Sequence, residues 1–235
     1  MTAAASIRLA DYTPWAFELP TIALDVTIQD DHVVVASRLS LEPRRPGEPL
    51  ELCGVDLAIE SLAIDQEPLQ PEDYSFTDGR LVIPNVPGQP FVLETLCLLD
   101  PYSNSSLEGL YASGGLLSTQ CEAEGFRRIS LHPDRPDVLS RWRVRIEASR
   151  SSCPVLLSNG NAVQEESVGA DRHAVTWDDP FPKPSYLFAL VAGDLREIRD
   201  HYTTASGRQV ILRLHVEEGD EPFTAHAMAS LKRSM

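Results

Sequence analysis

The sequence predicts a mainly β protein, arranged as an antiparallel sandwich or as an open, curved set of sheets. Three observations support this prediction. Apolar and polar residues alternate in short runs, which is the pattern of strands with one buried face. Clusters of Gly, Pro, Asp and Asn separate these runs, as expected at turns. The chain also has 18 prolines, nearly all of them between apolar runs, and this distribution is unfavourable to a helical bundle.

The amino-terminal half of the chain predicts several short strands. Leu24, Val26 and Ile28 alternate with polar residues, and the alternation continues over residues 33–41 beyond the Asp30-Asp31 turn. The further predicted strands cover residues 57–64, 74–77, 81–83 and 91–99. Strands of this length and spacing are typical of antiparallel sheets.

The carboxyl-terminal half continues the β pattern and then changes character. Trp142, Val144 and Ile146 alternate with charged residues, which predicts one buried and one solvated strand face. Two shorter strands are predicted at residues 154–158 and 174–177. Residues 186–192 are apolar on both faces and predict a central strand that is buried on both sides. After Gly193-Asp194, a strand is predicted at residues 208–216 and a helix at residues 221–235.

Composition excludes several classes of function. The formal net charge is −15, so the chain lacks the basic face that nucleic-acid binding requires. No apolar run approaches the length of a membrane span, and the first 17 residues contain no apolar core of a secretory signal. The four cysteines, Cys53, Cys97, Cys121 and Cys153, are widely spaced, which favours reduced, buried thiols in a cytoplasmic protein.

The sequence lacks the motifs that would identify a catalytic centre. The six histidines are isolated from one another, and no HExxH pair supplies part of a zinc site. There is also no GxSxG elbow, phosphate-binding loop or dinucleotide fingerprint. We therefore predict no metal ligands and no catalytic residues within this chain.

The segment TQCEAEG at residues 119–125 is the strongest candidate for a binding site. If this segment is extended, Gln120, Glu122 and Glu124 project from one face. Two carboxylates and an amide carbonyl would suit an ammonium group, which offers three donors and no acceptor. Spacing alone favours a plainer alternative, in which the glutamates form weak surface pairs with Arg127 and Arg128. The following run HPDRPD, residues 132–137, is interpreted as a rigid double turn with a structural role.

These residues resemble a known family, the zinc gluzincin aminopeptidases of the bacterial aminopeptidase N type. The resemblance rests on TQCEAEGFRR and DRPDVLSRWRVRIEA, together with LEGLYASGG, LLSNGN and DPFPKPSYLFALVAGDL, in that family's order and spacing. It implies an amino-terminal saddle of antiparallel β-sheets at residues 1–193. Residues 194–235 would then be the first strands and helix of a thermolysin-like catalytic domain.

The resemblance also assigns roles to two residues. Gln120 and Glu122 match the family's TQxE motif and would hold the free α-amine of a peptide substrate, whereas Glu124 has no such assigned role. The family's GAMEN loop, zinc-binding HExxH helix and transition-state tyrosine would all lie beyond Met235. The resemblance therefore implies that the chain is a truncated piece of a zinc-dependent aminopeptidase, packs on its own catalytic domain and is inactive alone.

Two alternatives belong to other functional classes. A family member that has lost its active site would keep the β-domain as a non-catalytic protein-interaction module. A free-standing adhesin or chaperone-like β-sandwich is the weaker alternative, because it predicts a properly capped carboxyl terminus, and the final residues LKRSM contain no helix stop signal.

Overall fold

A computed structural model describes residues 8–235, and it confirms the predicted mainly β fold. This part of the chain contains seventeen strands. They are β1 (Phe17–Ile28), β2 (Val33–Pro43), β3 (Leu50–Cys53), β4 (Ala58–Ile64), β5 (Glu67–Pro68), β6 (Ser75–Thr77), β7 (Arg80–Ile83), β8 (Phe91–Leu99), β9 (Gly109–Ser113), β10 (Leu116–Gln120), β11 (Ser140–Ser149), β12 (Val155–Ser158), β13 (Asn161–Val168), β14 (Arg172–Lys183), β15 (Leu190–Gly193), β16 (Arg196–Thr203) and β17 (Gln209–Val216).

Helices form a small part of the described residues. Four are short 3-10 helices, at Leu9–Asp11, Phe126–Arg128, Ser185–Leu187 and Glu221–Phe223. The last of these leads directly into an α-helix, α1 (Thr224–Ser234), so the predicted helical character of the final residues is confirmed. Within residues 8–235, no helix has the length and apolar character needed to cross a membrane.

The strands form four sheets. The largest has eight strands in the order β13-β14-β11-β1-β2-β8-β4-β5, and a second sheet has the order β12-β15-β10-β9. Two smaller sheets have the orders β3-β7-β6 and β16-β17. Pairing is antiparallel in all of these sheets except between β1 and β11, which run parallel with Thr21 opposite Arg141 and Thr27 opposite Glu147.

The long β1–β2 hairpin illustrates why these residues form strands. Its two strands pair from Ile28 opposite Val33 to Phe17 opposite Pro43, with one irregularity near the start of β1. Alternate residues of each strand are buried, and the residues between them face outward. This period of two is what the sequence pattern predicted.

The core beneath the sheets includes an aromatic cluster from three separate parts of the chain. The Phe126 ring centroid lies 5.1 Å from that of Trp142 and 5.1 Å from that of Phe188, both in edge-to-face geometry. His132 completes the cluster, with its ring 5.0 Å from Phe126. Trp142 comes from β11, and Phe126 lies in a 3-10 helix, so this cluster attaches the loop region after β10 to the large sheet.

The structure corrects the prediction for residues 186–192. Ser185–Leu187 is a 3-10 helix, and the strand β15 begins only at Leu190. Leu187 is half exposed, so the segment is not buried on both sides. The central placement was right for β15 itself, because it pairs with β10 on one side and β12 on the other. The domain junction near Gly193 stays a prediction, as does the division into residues 1–193 and 194–235, of which residues 1–7 lie outside the described part.

Candidate functional site

The TQCEAEG segment lies at the end of a β-hairpin. β9 and β10 pair from Ser113 opposite Leu116 to Gly109 opposite Gln120, where β10 ends. Residues 121–125 then form a turn that leads into the 3-10 helix Phe126–Arg128, and the Glu122–Ala123 peptide bond is cis. The condition under which Gln120, Glu122 and Glu124 would share one face, an extended segment, is therefore not met beyond Gln120. We call residues 121–125 the anchor turn.

Two glycines allow the backbone to close this turn tightly. The Gly125 amide donates a hydrogen bond to the Cys121 carbonyl at 2.9 Å. A Cβ atom on Gly125 would lie 2.4 Å from the Gln120 carbonyl oxygen, and one on Gly109 would lie 2.6 Å from the Arg128 Cβ. Gly109 also has φ +71°, a conformation that other residues rarely adopt. Both contacts are closer than any side chain allows, so the turn packs against β9 through bare backbone.

The inner side of the anchor turn is apolar. Cys121 and Phe126 are 2% and 1% exposed, and they bracket the turn at its two ends. Burial raises the pKa of the Cys121 thiol to about 12, so this side chain remains an uncharged thiol that packs like a small apolar residue. The alternation of Cys121 with polar neighbours is typical of a strand, but in this segment Cys121 is the buried first residue of a turn.

The outer side separates the two glutamates. Glu124 forms an ion pair with Arg127 at 3.2 Å, as the surface-pair alternative predicted for it. Glu122 is exposed, and within the described residues its carboxylate has no hydrogen-bond or ion-pair partner. Gln120 is also exposed, and its side-chain amide likewise has no partner there. The other arginine, Arg128, pairs instead with Asp56 and Glu108. Glu122 and Gln120 are thus available to an external ligand, while Glu124 is engaged.

A buried carboxylate lies directly behind the anchor turn. The Asp134 side chain is fully enclosed, and its Oδ2 accepts from Arg127 Nε at 2.8 Å and from the Arg127 amide at 3.2 Å. Its Oδ1 accepts from the Ser185 hydroxyl at 2.7 Å. The structural interpretation of the HPDRPD run holds, but the sequence contains no signal that pairs Asp134 with Ser185, because 51 residues separate them.

His132 is buried in the same region and is held neutral. Its Nδ1 accepts a hydrogen bond from the Asp134 amide at 2.8 Å, so the proton of the neutral ring lies on Nε2. Nε2 has no hydrogen-bond partner among the described residues and is enclosed near the Phe126 and Trp142 rings. Burial lowers the pKa of His132 from 6.5 to about 4, because a charged imidazolium would be poorly solvated here.

This depressed pKa predicts an acid-sensitive stability. The contribution of neutral His132 is fully present above pH 6.5 and is lost as the pH falls towards about 4, because the unfolded chain binds the proton first. The loss is on the order of 3 kcal/mol. Replacing His132 with Asn keeps an acceptor for the Asp134 amide and removes this titration. Urea unfolding between pH 7 and pH 4.5 should then show a smaller decline in the free energy of unfolding than in the wild type.

His201→Asn is the matched control for this prediction, because His201 is exposed on the β16–β17 hairpin. This variant should retain the wild-type decline. Equal declines in His132→Asn and the wild type would show that His132 does not govern the acid sensitivity.

The described residues do not fit a zinc ion. Within residues 8–235, no three His, Cys, Asp or Glu side chains come together in a way that could hold a metal. All four cysteines are unpaired, and Cys53 is only half-buried, whereas Cys97, Cys121 and Cys153 are buried. The residues brought together at the anchor turn are a free carboxylate and a free amide, which suit recognition of a cationic group.

Comparison with known proteins identifies the class of domain to which the anchor turn belongs. Residues 93–187, which contain the anchor turn and its supports, match the Peptidase M1 N-terminal domain. The chain is also 50% identical to aminopeptidase N of Caulobacter vibrioides over 233 residues and 44% identical to that of Escherichia coli over 226 residues. Over nearly its whole length, the chain thus matches the amino-terminal region of bacterial aminopeptidase N. The matches cover 98% and 96% of the chain but only 26% of each relative, so the chain spans about a quarter of their length.

Solved structures agree with this assignment. The fold matches Legionella pneumophila aminopeptidase A, crystallised in complex with aspartic acid, with a TM-score of 0.92 and 34% identity over 97% of this chain and 27% of that one. An M1 zinc metallopeptidase from Deinococcus radiodurans has a TM-score of 0.74 at 15% identity, covering 92% of this chain and 52% of its own. The second similarity, at this low identity, concerns the fold alone.

Proposed function

We propose that this chain is the amino-terminal part of a zinc-dependent metalloaminopeptidase that removes amino-terminal residues from peptides. In this proposal Gln120 and Glu122 anchor the α-ammonium group of the substrate, and the zinc and catalytic groups come from a domain outside residues 1–235. The observation that carries the proposal is the free Glu122 carboxylate on a turn whose other carboxylate, Glu124, is paired with Arg127. The similarity to aminopeptidase N over nearly the whole chain supports it.

The chemistry of the anchor turn suits a free amino terminus. An α-ammonium group has three donors, and a carboxylate with an amide carbonyl supplies acceptors of the required kind. A hydrogen bond between charged groups is stronger than a neutral one, and an internal peptide amide cannot provide it. Holding the amino terminus would place the first peptide bond at the reaction centre, so binding energy is used for orientation and favours exopeptidase cleavage. When bound in the catalytic domain, zinc would polarise the scissile carbonyl and activate water.

The proposal assigns further properties to the chain. It would pack on its own catalytic domain, act on peptides through that domain and be inactive as an isolated 235-residue chain. The proposal also includes a cytoplasmic location, the compartment in which reduced, unpaired cysteines are expected. Each of these is part of the proposal.

The size of the native product tests whether a catalytic domain accompanies this chain. An antibody against residues 8–193 would be used to measure the mass of the protein in its source cells. We expect a species about four times the 25.9 kDa of this chain, since the relatives are about four times as long. A native species of 25.9 kDa alone would favour a non-catalytic interaction module instead.

A further inference from the structure

The Asp134 carboxylate is deeply buried and is surrounded by hydrogen-bond donors. Its side chain is 0% exposed, and an enclosed charge is unfavourable unless hydrogen-bond donors surround it. Compensation comes from three donors: the Arg127 amide, Arg127 Nε and the Ser185 hydroxyl. Arg127 lies seven residues from Asp134 along the chain and Ser185 lies 51 residues away, so the carboxylate joins two separate segments.

One of these segments is the exit of the anchor turn. Arg127 follows Gly125 by two residues, and the Arg128 amide donates to the Gly125 carbonyl at 3.0 Å. Because Asp134 accepts from both the side chain and the backbone of Arg127, it fixes the direction in which the chain leaves the turn. The same guanidinium also pairs with Glu124 inside the turn, so Arg127 lies between a turn carboxylate and the buried one.

The other segment supports the entry of the turn. Ser185 begins the 3-10 helix that precedes β15, and β15 pairs with β10. Near the end of β10, the Leu190 amide donates to Thr119 Oγ1 at 2.8 Å, and this hydroxyl donates to the Leu190 carbonyl at 3.1 Å. Asp134 is therefore linked to both ends of the turn: directly through Arg127, and through Ser185 and β15 to the strand that carries Gln120.

We propose that Asp134 is a positioning residue, whose carboxylate holds the anchor turn, and with it Gln120 and Glu122, in the geometry that receives an α-ammonium group. This inference rests on the function proposed above. Asp134 touches no substrate, because it lies behind the turn. Without this carboxylate, Arg127 would be free to move towards Glu124. The anchor turn would then lose the hydrogen bonds that fix its exit at Arg127.

The HPDRPD run contains a matched control three residues away. Asp137 accepts from Arg135 Nε and Nη2, both at 2.8 Å, and from the Tyr12 hydroxyl at 2.8 Å. It thus forms an ion pair as short as that of Asp134, in the same double turn, but it has no hydrogen bond or ion pair with residues 121–128. Asp134→Asn and Asp137→Asn make the same chemical change and differ in what the carboxylate holds.

The test measures positioning in two ways. In the 235-residue chain, hydrogen exchange of the amides at residues 121–128 should become faster in Asp134→Asn and stay as in the wild type in Asp137→Asn. In the full-length aminopeptidase, with active sites counted by zinc content, Asp134→Asn should lower kcat/KM for an aminoacyl anilide by roughly tenfold, since small misplacement of a binding group is costly. The milder Ser185→Ala, which removes one donor only, should change both readouts in the same direction and keeps the test informative if Asp134→Asn folds poorly.

Specific outcomes would overturn the inference. Unchanged exchange at residues 121–128 in both Asp134→Asn and Ser185→Ala would show that the carboxylate does not hold the turn. A loss that appears only as fewer active sites, with wild-type kcat/KM per site, would reduce Asp134 to a general stability role. Wild-type kinetics in Glu122→Gln would instead refute the proposed anchoring role of Glu122, and the exchange measurement, which needs no activity, would still decide whether Asp134 positions the turn.

Discussion

The Phe126→Ala variant is expected to lose about 3–5 kcal/mol of unfolding free energy, because truncating a buried phenylalanine leaves a cavity that its neighbours fill only in part. Phe126 is 1% exposed and lies in edge-to-face contact with both Trp142 and Phe188. It also follows directly after the anchor turn, so its loss should loosen the turn. Denaturant unfolding followed by tryptophan fluorescence would measure the change, since Trp142 is in contact with the altered site.

Phe181→Ala makes the same truncation where the structure predicts little effect. Phe181 is 76% exposed on β14, and such surface changes are usually within about 0.5 kcal/mol. If the two variants were destabilised equally, the aromatic cluster would not be the element that attaches this region to the large sheet. Phe126→Leu should lie between them, because it retains much of the buried volume.

The second large effect is expected in catalysis. In the full-length enzyme, Glu122→Gln should lower kcat/KM by roughly ten- to a hundredfold, which corresponds to losing a charge-assisted hydrogen bond of about 1.5–3 kcal/mol. The substitution keeps the shape of the side chain and removes its charge. Because Glu122 is exposed and has no partner within the described residues, the stability of the fold should hardly change. Steady-state kinetics with an aminoacyl anilide, alongside thermal unfolding, would measure both quantities.

Glu124→Gln is the matched control, since it makes the same change two residues away in the same turn. Glu124 pairs with Arg127 and is 67% exposed, so its loss should cost little, as is usual for surface ion pairs. Comparable losses of kcat/KM in both variants would indicate a general effect of charge near the turn rather than a specific anchor. Wild-type kinetics in Glu122→Gln would return Glu122 to an ordinary surface role.

The comparison of β2 with the anchor turn shows what a local pattern can and cannot predict. Residues 33–41 alternate and form a strand, because the strand has one buried face along its full length. Residues 120–124 alternate as well, yet they form a strand end and a turn. Here Cys121 is buried at the start of the turn, and Gly125 allows the backbone to pass close to the Gln120 carbonyl. A pattern of polar and apolar residues does not reveal this close packing.

Residues 186–192 failed as a predicted strand for a related reason. An apolar run of this length is compatible with a strand or with a helical turn that leads into one, and periodicity alone does not separate them. Pro184 lies at the start of the 3-10 helix Ser185–Leu187, and Ser185 is then held by Asp134. This contact with Ser185 comes from 51 residues away, so the local sequence does not reveal it.

The sequence by itself determined the mainly β class, most of the longer strands and the family motif that contains Gln120 and Glu122. These features depend on neighbouring residues, because strand periodicity, turn residues and a motif are local properties of the chain. Only the tertiary structure decided that Glu124 is engaged and Glu122 is free, that His132 is neutral and that Asp134 lies beneath the turn. The first outcome depends on how the turn orients two neighbouring carboxylates, only one of which meets Arg127. The other two depend on burial and on partners distant in the chain, such as the Asp134–Ser185 contact.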